Sequence, residues 1–391
     1  MNDAPLAFLI LLAAAACALG ETAPATTPSP AGEPEQIDVF TSGTEGYHTF
    51  RIPAAVVTLK GTVLAFAEGR RAGAADSGDI DIVLRRSTDG GRTWLPMQTV
   101  WDDGPNTCSG PCAVVDRDTG TVWMVLAHNL VGDTERKILD DTSKATPTVW
   151  VTHSTDDGVT WAKPAEITAT ARKPNWTWYA TGPGVGIQLR SGRLLMPCDT
   201  ALAGSKAYYS HVLVSDDHGK TWRLGGVLGP GMNECQAVER ADGQVLLNMR
   251  NYDKSRPNRR AVATSDDGGL TWSPVAWDDT LVEPVCQASI LRVPAPARAP
   301  AAAATPAPGP ILFSNPASTK REKLTIRLSR DEARTWPVSR VLWAGPAAYS
   351  CLAALPDGTI GCLYERGQKG AYEKITWARF GLAWLEGAKG E

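Results

Sequence analysis

Ser87-Thr88-Asp89-Gly90-Gly91-Arg92-Thr93-Trp94 follows the alternating run Ile80-Asp81-Ile82-Val83-Leu84-Arg85, and the same pattern returns four more times. The later copies run from Ser154 to Trp161, Ser215 to Trp222, Ser265 to Trp272 and Ser329 to Trp336. In the last, Ala333 stands where the others carry glycine. In Ser-x-Asp-x-Gly-x-Thr-Trp the aspartate accepts backbone N–H groups, the glycine takes a positive φ and the tryptophan packs under the turn. Each copy therefore reads as a tight hairpin turn closing a strand.

A second signal interleaves with the first. Gly61, Gly120, Gly192, Gly243, Gly309 and Gly358 each open an apolar strand, such as Val63-Leu64 or Leu194-Leu195. All but the last of these strands are followed by one Ser-x-Asp turn. The result is six units, 49 to 72 residues long, of several strands each and without helical periodicity. The expected fold is all-β, a six-bladed β-propeller spanning residues 36–388. A strand at Gln36–Phe40 and another at Ile375–Leu385 are expected to pair within one blade and hide the open edges. Seven residues past each turn glycine, about 23 Å along a strand, lie Glu68, Ala127, Asp199, Arg250, Pro316 and Glu365. Charge at four of six such positions, on the face opposite the turns, suggests a charged site at the propeller axis.

The rest of the sequence sets bounds. The chain has 391 residues, a formal net charge of -3 and 43% apolar residues, enough for a large core. That charge gives no reason to expect a nucleic-acid partner. Residues 1–20 read as a signal peptide, with an apolar run from Leu6 to Leu19 too short to span a bilayer and a small-x-small site at Ala18-Leu19-Gly20. The expected location is therefore secreted or periplasmic, with Cys17 as the alternative of a lipid anchor. No later segment is long and apolar enough to span a membrane. Residues 21–35 read as a disordered linker, and the Ala/Pro-rich residues 293–310 as an inserted surface loop. The scattered cysteines do not form a disulfide framework, and Cys108 and Cys112 lack a second Cys/His pair for zinc. The five histidines form no metal pattern, so no metal or other cofactor is expected.

Phe50-Arg51-Ile52-Pro53, Asn233-Glu234-Cys235-Gln236 and Ala348-Tyr349-Ser350, combined with the five Ser-x-Asp turns, resemble the exo-sialidase (neuraminidase) family with Asp-box repeats, of bacterial and animal type. Phe50-Arg51-Ile52-Pro53 precedes the first Asp box. Asn233-Glu234-Cys235-Gln236 is followed by Leu247-Asn248-Met249-Arg250, and Phe313-Ser314-Asn315-Pro316 by Arg321. Ala348-Tyr349-Ser350 precedes the last unit, and Trp178-Tyr179-Ala180-Thr181-Gly182-Pro183-Gly184 also matches. The resemblance implies a retaining exo-α-sialidase acting on sialylated oligosaccharides, glycoproteins or glycolipids.

By that resemblance, Arg51, Arg250 and Arg321 form the triad that binds the sialic acid carboxylate, a task suited to planar, two-pronged guanidinium groups. Tyr349 is the implied nucleophile and Glu234 its base, since sialidases depart from the carboxylate nucleophile of most retaining glycosidases. A neutral phenol avoids the repulsion an anionic nucleophile would meet at a carbon bearing a carboxylate. Asp76 is the implied acid/base, with Asp79 and Asp81 in the same loop as rivals. Glu365 is implied to orient the first triad arginine, and Arg70 to lie near the substrate. Asp199, Trp178 and Tyr179 are further candidates for substrate contacts. Three other readings compete: a hydrolase for another acidic nonulosonic sugar, such as deaminated sialic acid, a sialoside-binding lectin, and a trans-sialidase. The lectin reading predicts loss of Tyr349, Glu234 or Asp76, and all three are present.

Overall fold

The computed structural model describes Met1, residues 32–294 and residues 309–387. The expected signal peptide, apart from Met1, and most of the 21–35 linker lie outside the described residues. Among those described, the helices are short, at Glu135–Leu139, Thr168–Ala171 and Leu382–Glu386. None is long and apolar enough to cross a membrane.

Strand pairing follows the repeat. Thr49–Val57, Val63–Arg70, Ile80–Ser87 and Gln98–Trp101 form an antiparallel meander. Thr107–Val115, Val122–Asn129, Thr148–Ser154 and Ala165–Glu166 form the next. Trp176–Thr181 and Ile187–Gln188 both border Leu194–Leu202, which continues into Tyr208–Ser215 and Arg223–Leu228. Met232–Glu239, Val245–Asn251, Arg259–Ser265 and Ala276–Val282 follow. Ser289–Arg292, Ile311–Pro316 and Glu322–Ser329 then lead into the 17-residue strand Val338–Ala354. Its first half pairs with Glu322–Ser329 and its second with Ile360–Arg366. This is an all-β propeller, with apolar clusters packed between successive meanders.

The two ends of the propeller meet. Glu35–Thr41 pairs antiparallel with Lys374–Phe380, Gln36 opposite Ala378. The last strand is shorter than the expected Ile375–Leu385. Gly381 ends it, and Leu382–Glu386 turns into a helix that buries Trp384 and Leu385. Trp384 meets Phe380 with ring centroids 4.9 Å apart. Packing against the sheet overrides the apolar pattern that suggested a longer strand.

The Asp boxes have a common geometry. Asp89 Oδ1 accepts from the amides of Arg92 and Thr93 at 3.0 and 2.9 Å, and Oδ2 from Thr93 Oγ1 at 2.6 Å. The Gly91 amide donates to Ser87 Oγ at 2.7 Å. Gly91 has φ 89°, and a Cβ there would lie 2.0 Å from Trp377 Nε1. Gly219 is likewise covered by Trp123 of the preceding meander. The box glycine therefore serves twice, for its φ and for the neighbouring meander that packs onto it. In the fifth box both Glu332 and Ala333 take positive φ, 67° and 61°, where a Cβ is strained.

Residues 295–308 lie outside the described residues, but their flanks are neighbours. The Val293 amide donates to Pro310 O at 2.9 Å, and Arg292 Nη1 to Gly309 O at 2.8 Å. All seven cysteines from Cys108 to Cys362 are buried free thiols.

Two predictions follow from these contacts. Ala333→Gly, measured by urea unfolding, is expected to stabilise the protein by about 0.5–1 kcal/mol, the relief of a left-handed alanine less the extra freedom of the unfolded chain. Replacing residues 295–308 by a short Gly/Ser link should leave thermal unfolding cooperative and the activity intact, because the ends are already paired and loop length has a small entropic effect.

Candidate active site

The inner strands share an irregularity. Their ladders slip between Arg51 and Ala54, Ser109 and Cys112, Met232 and Cys235, and Ala347 and Ser350. Such bulges re-aim side chains that regular alternation would send into the sheet. The four slips surround one cavity of about 170 Å³. Arg51, Arg70, Asp76, Asp199, Glu234, Arg250, Arg321 and Tyr349 all line it. Beneath it runs a buried polar floor. Gln287 Nε2 donates to Ser350 O at 2.9 Å, Gln236 Nε2 to Pro183 O at 3.2 Å, and Ser289 Oγ to Gln236 Oε1 at 3.1 Å.

Glu365 stands behind the wall, fully buried. Its carboxylate accepts from Arg51 Nε at 2.9 Å and from the amides of Ile52 and Tyr349, both at 3.0 Å. Ile52 has φ 60°, a conformation a β-branched residue adopts only under constraint. The Glu365 bond to its amide is that constraint.

Tyr349 is nearly buried, and its hydroxyl donates to Glu234 Oε1. Arg250 Nη1 lies 3.1 Å from the Tyr349 hydroxyl and 2.7 Å from Glu234 Oε2. Burial, and then the Glu234 charge, push the Tyr349 phenol well above its ordinary value. The phenol is therefore neutral at rest with an acceptor for its proton in place. Arg321 is paired differently. Its guanidinium donates to Tyr372 Oη at 2.6 Å and to Val285 O at 3.4 Å, and among the described residues no carboxylate neutralises it. Arg51 sits 4.0 Å from the centroid of the same Tyr372 ring.

Asp76 is at the mouth, its side chain 66% exposed, with Oδ1 2.7 Å from Arg70 Nη1 and 3.5 Å from Arg51 Nη1. Burial would raise its carboxyl, but the charges of Arg70 and Arg51 prevail and hold it below the usual value. Glu68 in turn holds Arg70 at 2.6 Å and accepts from the Gly110 amide at 2.9 Å. Asp199 is buried against Asn233 Nδ2 at 2.8 Å. Burial, Glu234 and Glu135 drive its carboxyl well above the normal range.

Residues 61–362 match the BNR repeat-like domain. A sialidase of Micromonospora viridifaciens is 40% identical over 406 aligned residues, covering 98% of this chain and 60% of that protein. An exo-alpha-sialidase of Arthroderma benhamiae is 32% identical, covering 89% of this chain and 86% of that protein. The chain belongs to the sialidase family. The solved structure of the Hadza microbial sialidase Hz136 superposes with a TM-score of 0.79 at 31% identity, covering 90% of this chain and 69% of that one.

Three of the sequence expectations for this sialidase need correction or refinement. Tyr179 does not reach the cavity. It is buried against Trp176 and His211, and burial raises its phenol far above normal. Strand alternation sends its neighbours Trp178 and Ala180 to the cavity instead. Asp81 is fully buried under Tyr47 and Arg71 and does not line the cavity, nor does Asp79. Glu135, Asn233 and Tyr252 line the cavity although no motif reading assigned them a role. Tyr252 was findable, two residues past Arg250 and just beyond the end of the strand Val245–Asn251. Glu135 was not, because it rides on a short helix inserted within one repeat. A cluster with metal-ligand chemistry, Asp116, Asp118 and His218, lies outside this cavity. Gln188 Nε2 already bridges its two carboxylates at 2.9 and 3.0 Å.

Glu365→Ala leaves Arg51 buried without its partner and leaves the amides of Ile52 and Tyr349 without their acceptor. It is expected to destabilise the protein by about 3–5 kcal/mol, measured by urea unfolding, and to weaken binding of a sialic acid analogue.

Proposed function

We propose that this chain is a retaining exo-α-sialidase that removes terminal sialic acids from glycoconjugates. The observation that carries the reading is the Tyr349 hydroxyl donating to Glu234, with Arg51, Arg250 and Arg321 lining the same cavity. The substrate carboxylate is bound by the three arginines through charge-assisted hydrogen bonds. Arg321, hydrogen-bonded to Tyr372 and Val285 and in no ion pair among the described residues, offers it a positive charge. Tyr349 Oη then attacks the anomeric carbon and its proton passes to Glu234. The bond to the leaving oxygen breaks as Asp76 supplies a proton to it. In the second step Asp76 takes a proton from water, the water oxygen attacks the anomeric carbon, and Tyr349 departs with the proton held by Glu234. Two displacements return the original configuration.

Asp76 must be protonated for the first step, yet Arg70 and Arg51 favour its ionised form in the empty site. A bound substrate carboxylate occupies Arg51 and adds a nearby negative charge. Both effects raise the Asp76 carboxyl and ready it as an acid.

The same reading takes the described chain as one propeller of six blades, each meander a blade, with the long strand Val338–Ala354 contributing to two. It takes residues 1–20 as an export signal and the product as secreted or periplasmic. Comparison of a fluorogenic N-acetylneuraminic acid glycoside with its deaminated analogue separates the two sugar readings, and release from neither overturns both.

Asp76→Ala tests the acid. Sialyllactose has a poor leaving group that must be protonated, whereas a methylumbelliferyl group leaves without help. The variant is expected to lose roughly 100-fold or more in kcat on sialyllactose and much less on the aryl glycoside. Equal losses would assign Asp76 to binding or folding instead.

A further inference from the structure

We infer that Arg71, which lines no part of the cavity, is a positioning residue for Asp76, and that it acts by clamping the loop that carries the acid. The inference rests on the reading of Asp76 as the acid.

Asp76 sits on the nine-residue connection 71–79, between the strands Val63–Arg70 and Ile80–Ser87. Its carboxylate is exposed, and residues 72, 74 and 75 on the same loop are exposed too. The tip is tied to the wall through Arg70, whose Nη1 meets the Asp76 carboxylate at 2.7 Å and donates to Ala74 O at 2.6 Å, and the rest of the support for the acid comes from the base of the loop. Arg71 ties that base together. Its amide donates to Asp79 O at 3.1 Å, joining the first and last residues of the loop. Its Nε lies 3.1 Å from Asp79 Oδ1, and its Nη2 donates to Asp81 Oδ2 at 2.7 Å. Asp102, from the next connection, approaches the same nitrogen at 3.6 Å.

A fork spanning two carboxylates is a geometry that guanidinium provides and ammonium does not. The fork is itself held. The guanidinium lies 4.8 Å from the centroid of the Tyr47 ring, and the Tyr47 hydroxyl donates to Asp81 Oδ2 at 2.6 Å. Tyr47 lies close over Gly69, where a Cβ would come within 2.6 Å of its ring. The absence of a side chain at Gly69 is what lets the aromatic shelf reach under Arg71. A second tie supports the far side of the loop. Thr107 Oγ1 accepts from the Gly78 amide at 2.9 Å and donates to Gly78 O at 2.8 Å.

Asp81 therefore has a use although it is not the acid. Its buried carboxylate anchors the clamp beside the site. Arg70 and Arg71 act on different parts of the loop: Arg70 faces the cavity and meets the Asp76 carboxylate and the Ala74 carbonyl, and Arg71 faces away and ties the two ends of the loop together. A carboxyl displaced by an ångström is a poor proton donor, so a loosened loop should cost the step that needs the proton and spare binding.

The test uses Arg71→Lys, which keeps a cation opposite Asp81, and Asp79→Asn, which cuts the clamp from the loop side. Each should lower kcat on sialyllactose roughly 10- to 100-fold, leave KM for both substrates close to normal and change methylumbelliferyl glycoside turnover little. Added to Asp76→Ala, Arg71→Lys should cause no further loss, because both act through one group. Hydrogen–deuterium exchange of residues 72–78 should accelerate in both variants. Wild-type kinetics, equal losses on the two substrates, or additive losses with Asp76→Ala would each overturn the proposal. Unchanged exchange would overturn the clamp whatever Asp76 does. If Asp76→Ala shows no dependence on the leaving group, the acid assignment fails by itself, and accelerated exchange would still support the clamp.

Discussion

One buried carboxylate ties together the parts on which the site depends. Glu365 receives the guanidinium of Arg51, the amide of Ile52 and the amide of Tyr349. These groups come from the first full strand of the propeller and from one near its end. A charge taken out of water is tolerated only with such a complete set of donors. The requirement works in both directions. The carboxylate needs these three donors, and the donors can be supplied only if Ile52 adopts its positive φ and the strand carrying Tyr349 slips at the same level. Substrate-facing geometry is thus fixed by the solvation of a group the substrate never touches.

The same logic runs around the cavity. Arg250 is neutralised by Glu234 and Arg70 by Glu68, while Arg321 keeps neutral partners. Among the described residues Arg321 makes no ion pair, so an acidic ligand finds its guanidinium less neutralised than those of Arg250 and Arg70. The pairing holds Arg51, Arg70 and Arg250 in place before any ligand arrives, which reduces the reorganisation needed on binding. Burial beside Glu234 keeps the Tyr349 phenol neutral and shifts the Asp199 carboxyl toward its neutral form. Neutral groups near the reacting carbon add no repulsion to a carboxylate bound there.

Bulges convert a regular scaffold into a site. A strand alternates its side chains strictly, so a uniform meander could present only every second residue to the axis. The slips at Arg51, Ser109, Met232 and Ala347 break that alternation at one height. Asn233 and Glu234, adjacent in sequence, both line the cavity as a result. The Asp boxes, on the turns at the other end of the strands, keep the meanders packed on one another through glycines such as Gly91 and Gly219.

The sequence by itself determined the repeat, and with it the all-β class, because Ser-x-Asp-x-Gly-x-Thr-Trp is a local device whose hydrogen bonds close within eight residues. It also marked Arg51, Glu234, Arg250, Arg321, Tyr349 and Glu365, since each stands in a motif or at a constant distance from a turn glycine. The choice between Asp76, Asp79 and Asp81 was different. All three lie in one short stretch, and only the tertiary structure buries Asp81 under Tyr47, gives Asp79 to Arg71 and leaves Asp76 facing Arg70. The side of the strand on which Tyr179 falls was likewise undecided, because a bulge between Trp176 and Tyr179 resets the alternation. Glu135 depended on where an inserted helix comes to rest. Local patterns carry information about contacts near in sequence, while the facing of a loop or a bulged strand is decided by partners from distant segments, packed at a common axis.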